Sequence, residues 1–388
     1  MKAIAWKDHS FFVGIAAGLL LAVALGREAA RQVTPVNFER YYPTISPESH
    51  FYPSYDSMQK LALDRWSPGK VLVIIGGNSV LNGVGQQVEN LWSRRLQHLL
   101  GTGYVVVNLA FRGAVATEGA ALVAEDLRGR GIPVIYVANS DAGSCGMPVG
   151  RIYEYLFWEA AAAGALSPSA ARDDMIARLH DLRAWAKTRE FQRAAWLNHW
   201  LHFQDLWTYV GYHHVFTVWN SLSLRTSRSP WAPRIESVDR EAPPEPVAQR
   251  FLANNDLEMA IIRSSSESLM VRDRAGRWQK KKLLWDLFEK IVAGSFVPTL
   301  RPNILMIVSP DCPFYRDQLT TDELARDEAA YRLTAAVWTA HGIRCLITGR
   351  GFSAEDYRDR RHLTASGGAK LAEQVAAEIL AMQPLPHE

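Results

Sequence analysis

The chain has 388 residues, of which 48% are hydrophobic and 21% are charged, a composition typical of a globular protein with one large or two ordinary domains. Its formal net charge is +3 and its basic residues are scattered, so composition excludes the basic footprint expected of a nucleic-acid-binding protein. The three cysteines, Cys145, Cys312 and Cys345, lack the spacing of a metal site and can form one disulfide at most.

The first predicted element is an apolar segment over residues 11–26, FFVGIAAGLLLAVALG, which contains no charged residue. The run is short for a membrane span and also fits the apolar region of a signal peptide. We favour an uncleaved anchor, because the candidate cleavage site at residues 22–24 lies inside the apolar run; a buried helix of a soluble domain is the third alternative. The flanking charges are balanced, so only the signal-like position predicts a short inner tail and export of everything after residue 30. The expected location is the inner membrane, with an extracytoplasmic, periplasmic domain.

Residues 31–69 are rich in aromatic residues and proline and predict a stalk that packs on the body of the protein. From residue 70 onward, short Val/Ile/Leu runs alternate with amphipathic helical patterns. The predicted strands are KVLVIIGG from residue 70, YVVVNLA at 104–110, IPVIYVAN at 132–139, NILMIVS at 303–309 and IRCLITG at 343–349. Such strands are typical of a parallel sheet with helices on both faces. The predicted fold class is therefore a doubly wound α/β domain.

Residues 142–300 interrupt this alternation and predict a helical insertion between the core segments 70–141 and 301–388. The insertion holds nine of the 13 tryptophans. One stripe at helical spacing comprises Trp196, Trp200, Phe203 and Trp207. Core packing is the usual meaning of such a stripe, and an interfacial helix at a membrane is the alternative. Four nearby histidines, His199, His202, His213 and His214, lack carboxylate or cysteine partners at matching spacing, so we expect no metal site and no cofactor.

The first predicted strand ends in Gly76-Gly77-Asn78-Ser79. Taken alone, this stretch predicts a turn from strand to helix, with Ser79 satisfying backbone donors at the helix start. A catalytic serine needs a base and donors for the developing oxyanion. Ligands of open α/β sheets bind at the carboxyl ends of the strands. The second and third strands place two such donors there, the backbone N–H of Gly113 and the side-chain amide of Asn139.

A base follows the last predicted strand. Asp359 and His362 lie three residues apart, just before an amphipathic helix. A carboxylate at this separation can hold the imidazole Nδ1–H and leave Nε2 free to accept a serine proton. The alternative is an ordinary solvated helix start, but the position after the last strand returns the pair to the edge that carries Ser79.

These segments resemble the SGNH (GDSL-type) hydrolases. The matching residues are Gly77-Asn78-Ser79, Asn108 to Gly113, Asn139, and Asp359-Arg360-Arg361-His362 followed by Gly367 and Gly368. Asn78 stands where the family usually has Asp, and Val137 and Ser140 replace the Gly and Asp that usually flank the third-block asparagine. The resemblance implies a flavodoxin-like sheet with Ser79 as nucleophile, His362 as general base and Asp359 as orienting acid. It also implies an oxyanion hole formed by the N–H groups of Ser79 and Gly113 and the side chain of Asn139.

The combination of an anchor, an exported domain and an extra helical segment resembles the SGNH partners of membrane-bound O-acyltransferases. That resemblance implies acyl transfer through an acyl-serine, most simply O-acetylation of an envelope or exported polysaccharide together with such a membrane partner. An extracytoplasmic carbohydrate acetylesterase and a non-catalytic membrane adaptor remain as alternatives.

Overall fold

The computed structural model describes residues 6–32, 39–40, 55–141 except 112 and 118, and 247–382, together with nine isolated positions between 160 and 201. The elements are numbered along these residues. The strands are β1 Val71–Ile75, β2 Tyr104–Asn108, β3 Val134–Ser140, β4 Met270–Arg272, β5 Trp278–Lys280, β6 Ile304–Val308 and β7 Arg344–Ile347. The helices are α1 Trp6–Gln32, α2 Tyr55–Arg65, α3 Ser79–Asn82, α4 Trp92–Leu100, α5 Gly119–Gly129, α6 Val247–Leu252, α7 Asn255–Leu269, α8 Lys282–Gly294, α9 Pro313–Arg316, α10 Thr321–Ala340 and α11 Ala365–Ala381.

Five strands form one parallel sheet in the order β2-β1-β3-β6-β7. The last residue of β1, Ile75, lies opposite Asn108 of β2 and Val137 of β3. Because all five strands run in the same direction, the loops that follow them meet at one edge of the sheet. The predicted α/β class with a parallel sheet is confirmed.

Helices cover both faces of the sheet. Leu72 and Ile74 of β1 belong to a core cluster with α2, α5, α8 and α10, whereas Val73 and Ile75 belong to a second cluster with α4 and α11. This alternation follows from the two-residue period of a strand. Both faces of β1 are therefore buried, which explains why its sequence is a continuous apolar run.

Helix α1 contains the apolar segment. Its stretch His9–Glu28 is long and apolar enough to cross a membrane, judged by length and composition. Large side chains on it are exposed, including Phe11 at 64% and Leu20 at 71%. The prediction of an apolar N-terminal helix is confirmed.

The segment predicted as a stalk contains part of the core. Within residues 31–69, helix α2 buries Tyr55, Met58, Leu61 and Ala62 in the cluster that it shares with α5. The aromatic and proline residues before it dominate the local sequence pattern, so this short amphipathic helix was not predicted.

The insertion is not entirely helical, contrary to the prediction. Strands β4 and β5 form an antiparallel hairpin between α7 and α8. Its turn is held by Asp273, whose Oδ1 accepts the N–H groups of Ala275 and Arg277, both at 2.9 Å, and by Gly276 at φ +78°. Strands of three residues are too short for a recognisable alternation, so the helical pattern on either side dominated the sequence.

Two members of the tryptophan stripe are exposed. Trp196 is 55% and Trp200 is 59% exposed, and their ring centroids lie 6.4 Å apart. The expected core packing is therefore wrong for these two rings, which contact each other instead. Phe203, Trp207 and the histidines at 199, 202, 213 and 214 lie outside the described residues.

Candidate active site

The loop that follows β1 presents Ser79 at the start of α3. Asn78, and not Ser79, caps this helix, because its Oδ1 accepts the N–H of Val80 at 3.0 Å. The interpretation of Ser79 as the cap is thus wrong, and its hydroxyl is available for another contact. Ser79 is half-buried at the carboxyl edge of the sheet.

That contact is with His362. The imidazole Nε2 lies 2.8 Å from the Oγ of Ser79, and Nδ1 lies 2.6 Å from Oδ2 of Asp359. The structure therefore brings together three predicted residues across 283 positions of the chain. The arrangement has the connectivity in which an imidazole held by a carboxylate can take the proton of a serine hydroxyl.

Asp359 orients both the ring and its own loop. Its Oδ1 accepts the N–H groups of Arg361 at 2.9 Å and His362 at 2.8 Å, while Oδ2 faces the ring. Partial burial raises the pKa of this carboxyl, but the hydrogen bonds and charge of His362 and the backbone donors outweigh it and hold the pKa at about 2. The group is therefore ionised at neutral pH.

Asn139 lies beside the loop that carries Ser79. Its Oδ1 accepts the N–H of Asn78 at 2.9 Å, which leaves the Nδ2 end of the amide as the donor. Gly77, at φ +87°, permits this approach, because a Cβ at that position would overlap the Asn139 oxygen. The amide is thus fixed beside Ser79 by its own hydrogen bond.

Gly113 lies in the loop after β2. The N–H of Phe111 in that loop donates to the carbonyl of Gly77 at 3.0 Å, so the two loops meet two residues before Gly113. Gly113 is exposed and has φ +77°, a conformation that disfavours any residue with a Cβ. Gly113 thus lies at the carboxyl edge of the sheet, as the sequence predicted.

Two buried amide side chains connect α3 to β2 and to the loop that follows β2. Asn108 donates Nδ2–H to the carbonyl of Leu81 at 3.0 Å, and Asn82 donates Nδ2–H to the carbonyl of Ala110 at 2.9 Å. Both side chains are 2% exposed. Sequence reasoning identified Asn108 only as part of a motif and missed Asn82, which a search for amides just after Ser79 could have found.

A charged cluster holds the loop that carries Asp359 and His362. We call it the arginine–carboxylate cluster, and it consists of Arg360, Arg361, Asp141, Glu258 and Asp311. Oδ1 of Asp311 accepts from Arg360 at 2.7 Å and from Arg361 at 2.9 Å, and the Asp311 side chain is 4% exposed. Arg361 also pairs with Asp141, and Arg360 pairs with Glu258 at 2.6 Å.

The members of this cluster come from different parts of the fold. Asp141 follows β3, Asp311 follows β6, and Glu258 lies on α7 within the insertion. The charges of Asp141 and Asp311 raise the pKa of Arg361 although burial lowers it. Sequence analysis missed the three acids, and its only available signal was the pair of arginines between Asp359 and His362.

Among the residues described, no group of three or more His, Cys, Asp or Glu side chains could hold a metal ion. Comparisons with family models, with curated proteins and with solved structures find no match to this chain.

Proposed function

We propose that this protein is a serine-dependent acyl-transfer enzyme of the SGNH type. The single observation that carries the proposal is the chain of contacts from Ser79 Oγ to His362 Nε2 at 2.8 Å and from His362 Nδ1 to Asp359 at 2.6 Å. If Asp359 and His362 were only an ordinary solvated helix start, they would not be aligned with a serine that follows a different strand.

In the proposed reaction, His362 Nε2 takes the Ser79 proton while Oγ attacks the carbonyl carbon of an acyl ester. The N–H groups of Ser79 and Gly113 and the Asn139 amide receive the oxyanion. His362 then protonates the leaving alcohol, and an acyl-serine remains. An acceptor hydroxyl, deprotonated by the same imidazole, attacks the acyl-serine and regenerates Ser79. Asp359 stays ionised and keeps the ring oriented throughout.

The strand order β2-β1-β3-β6-β7 supports the flavodoxin-like assignment, because renumbering these five strands consecutively yields the order 2-1-3-4-5 of one common doubly wound fold. The triad stands at the carboxyl edge of this sheet, where such folds bind ligands. Asn78 in place of the usual aspartate retains a useful role as helix cap.

We further propose that an acyl group is transferred to a carbohydrate hydroxyl of an envelope or exported polysaccharide, with a membrane-bound O-acyltransferase as partner. The apolar helix α1 supports an inner-membrane anchor with a periplasmic catalytic domain. A bound acceptor makes attack on the acyl-serine effectively intramolecular, which favours transfer over hydrolysis. An acetylesterase is the second candidate, and the aligned triad argues against a non-catalytic adaptor.

Labelling of Ser79 tests the chemistry. The full-length protein in detergent is treated with a fluorophosphonate, and the adduct is located by intact-protein and peptide mass spectrometry. We expect one adduct on the wild type and none on Ser79→Ala, whereas Ser268→Ala, an exposed serine on α7, should label like the wild type. Equal labelling of wild type and Ser79→Ala would remove the proposed nucleophile.

A time course with an activated acetyl ester separates transfer from hydrolysis. Acetate and acetylated oligosaccharide are followed by mass spectrometry, with and without the co-purified membrane partner. We expect acetylated sugar to form faster than acetate. Acetate release that no acceptor or partner alters would favour the esterase.

A further inference from the structure

Arg40 is a buried cation that contacts the nucleophile loop, residues 76–86, from outside the sheet. It lies eight residues after the end of α1, and its side chain is 1% exposed. Its guanidinium donates to the carbonyl of Gly83 and, through Nη2, to the carbonyl of Gln86 at 2.8 Å. Neighbouring Glu39 lies 3.9 Å from Arg94 of α4, so both described residues of this segment contact the body of the protein.

The two carbonyls belong to the turn that ends the helix of Ser79. Gly83 caps α3 at φ +82°, and its N–H donates to the carbonyls of Ser79 and Val80. The next residue, Val84, also donates its N–H to the Ser79 carbonyl at 3.1 Å. The guanidinium therefore binds a turn that hydrogen-bonds directly to the nucleophile residue.

Gln86 extends this connection to the other side of the site. Its side chain is fully buried, its Oε1 accepts the N–H of Trp92 at 2.9 Å, and its Nε2 lies 3.5 Å from the carbonyl of Leu363. Leu363 directly follows His362. Arg40 thus contacts a segment, residues 83–86, that hydrogen-bonds both to Ser79 and to the residue after His362.

A guanidinium so deeply buried is unfavourable unless its donors are satisfied in a fixed geometry. A planar fork that binds two carbonyls of one turn restricts that turn more than a flexible ammonium can. We propose that Arg40 is a positioning residue for Ser79, which couples the segment after α1 to the reactive geometry of the nucleophile. The inference rests on the proposed function of Ser79.

The chain also limits where the site can lie relative to α1. Eight residues reach at most about 29 Å when fully extended. The contact between Arg40 and Gly83 therefore keeps the nucleophile turn within roughly that distance, plus the length of one arginine side chain, of the C-terminal end of α1. Catalysis near a membrane surface is the arrangement that such a tether favours.

The test uses the full-length protein in detergent, with Arg40→Ala and Arg40→Lys. The control is Arg95→Ala, which removes an exposed arginine that pairs with Glu373 at 3.5 Å between α4 and α11. The second-order rate of fluorophosphonate labelling and the kcat and KM for an activated acetyl ester are measured. We expect Arg40→Ala to lower the labelling rate and kcat about tenfold or more with little change in KM, because small displacements of a nucleophile cost rate.

Chemical rescue separates positioning from general destabilisation. Ethylguanidinium at millimolar concentration should restore part of the Arg40→Ala labelling rate and leave the wild type and Arg95→Ala unchanged. Arg40→Lys keeps the charge without the fork and should be intermediate; it also serves if Arg40→Ala does not fold. Unchanged labelling of a folded Arg40 variant, while wild type labels normally, would overturn this inference alone. No labelling of wild type would overturn the proposed function and this inference with it.

Discussion

The two loops that form the candidate site are held in place by different physical means. The loop of the proposed nucleophile, residues 76–86, is held mainly by uncharged amides. Three belong to the loop itself, Asn78, Asn82 and Gln86, and two belong to neighbouring strands, Asn108 and Asn139. The histidine loop, residues 356–364, is held largely by ions. Its anchors are Asp359 and the arginine–carboxylate cluster, in which Asp311 binds two arginines.

This difference separates what fixes Ser79, the proposed nucleophile, from what fixes His362, the proposed base. Hydrogen bonds between amides are insensitive to pH and are little affected by salt, whereas ion pairs depend on the ionisation of both partners and, where exposed, on screening. The position of Ser79 should therefore persist under conditions that displace His362. Arg40 is the exception, since it is a cation that acts on the uncharged loop.

The largest expected effect is in the histidine loop, from Asp359→Asn. The replacement amide can present its N–H to the ring and so stabilise the wrong tautomer, which should lower kcat on an activated ester by about 10³- to 10⁴-fold. Ester hydrolysis and Ser79 labelling measure the loss. Asp317→Asn changes an exposed aspartate on the loop after α9 and should be neutral. Wild-type activity of Asp359→Asn would contradict the proposed role of Asp359 in a catalytic triad.

The corresponding change beside the nucleophile loop is Asn139→Ala. Removal of one oxyanion donor should lower kcat by about 10²- to 10³-fold. The fractional loss should not vary with salt, because the group is uncharged. Asn90→Ala, at an exposed position, is the control. If Asn139→Ala retained full activity on the ester, the oxyanion assignment would fail.

Asp311→Asn tests whether ions position the base. Breaking a buried pair costs about 3–5 kcal/mol, but Arg360 and Arg361 each keep a second carboxylate, so we expect a loss of about 2–3 kcal/mol in the free energy of unfolding. A fall in kcat of about tenfold should accompany it as the loop shifts. Urea unfolding and ester kinetics measure the two effects. Asp286→Asn, which removes an exposed partner of Lys282, should change both by little. An unaltered kcat would show that Asp311 stabilises the fold but does not position His362.

The smallest expected effect is the acid dependence of the same loop. The pKa of Asp359 is lowered to about 2 in the folded protein, so its contribution to stability is present above the unfolded value near 4 and is lost as the pH falls towards 2. Because half of this side chain is exposed, solvent screening reduces the contribution to about 1 kcal/mol.

The free energy of unfolding should therefore change less between pH 5 and pH 2 for Asp359→Asn than for the wild type. Far-UV and near-UV circular dichroism of the two proteins at neutral pH checks that the comparison concerns folded chains. An equal change in the free energy of unfolding for the two proteins would show that the ion pair between Asp359 and His362 contributes nothing to acid stability.

Much of the core followed from the sequence because its signals are local. The apolar period of β1, the glycines after it and the short spacing of Asp359 and His362 are properties of adjacent residues. A parallel sheet then brings loop ends to one edge as a geometric necessity. These rules predicted the α/β class, the apolar N-terminal helix and the residues that the structure places within hydrogen-bonding distance.

Only the tertiary structure decided how those residues are held. Arg40 meets Gly83 across 43 positions, and Arg361 meets Asp141 across 220. No local pattern distinguishes these charged residues from solvated ones, because an ion's partner depends on which loops the fold brings into contact. The same holds for the exposure of Trp196 and Trp200. Hydrophobic period and loop spacing act along the chain, whereas ion pairing and burial act between segments that only the folded sheet makes neighbours.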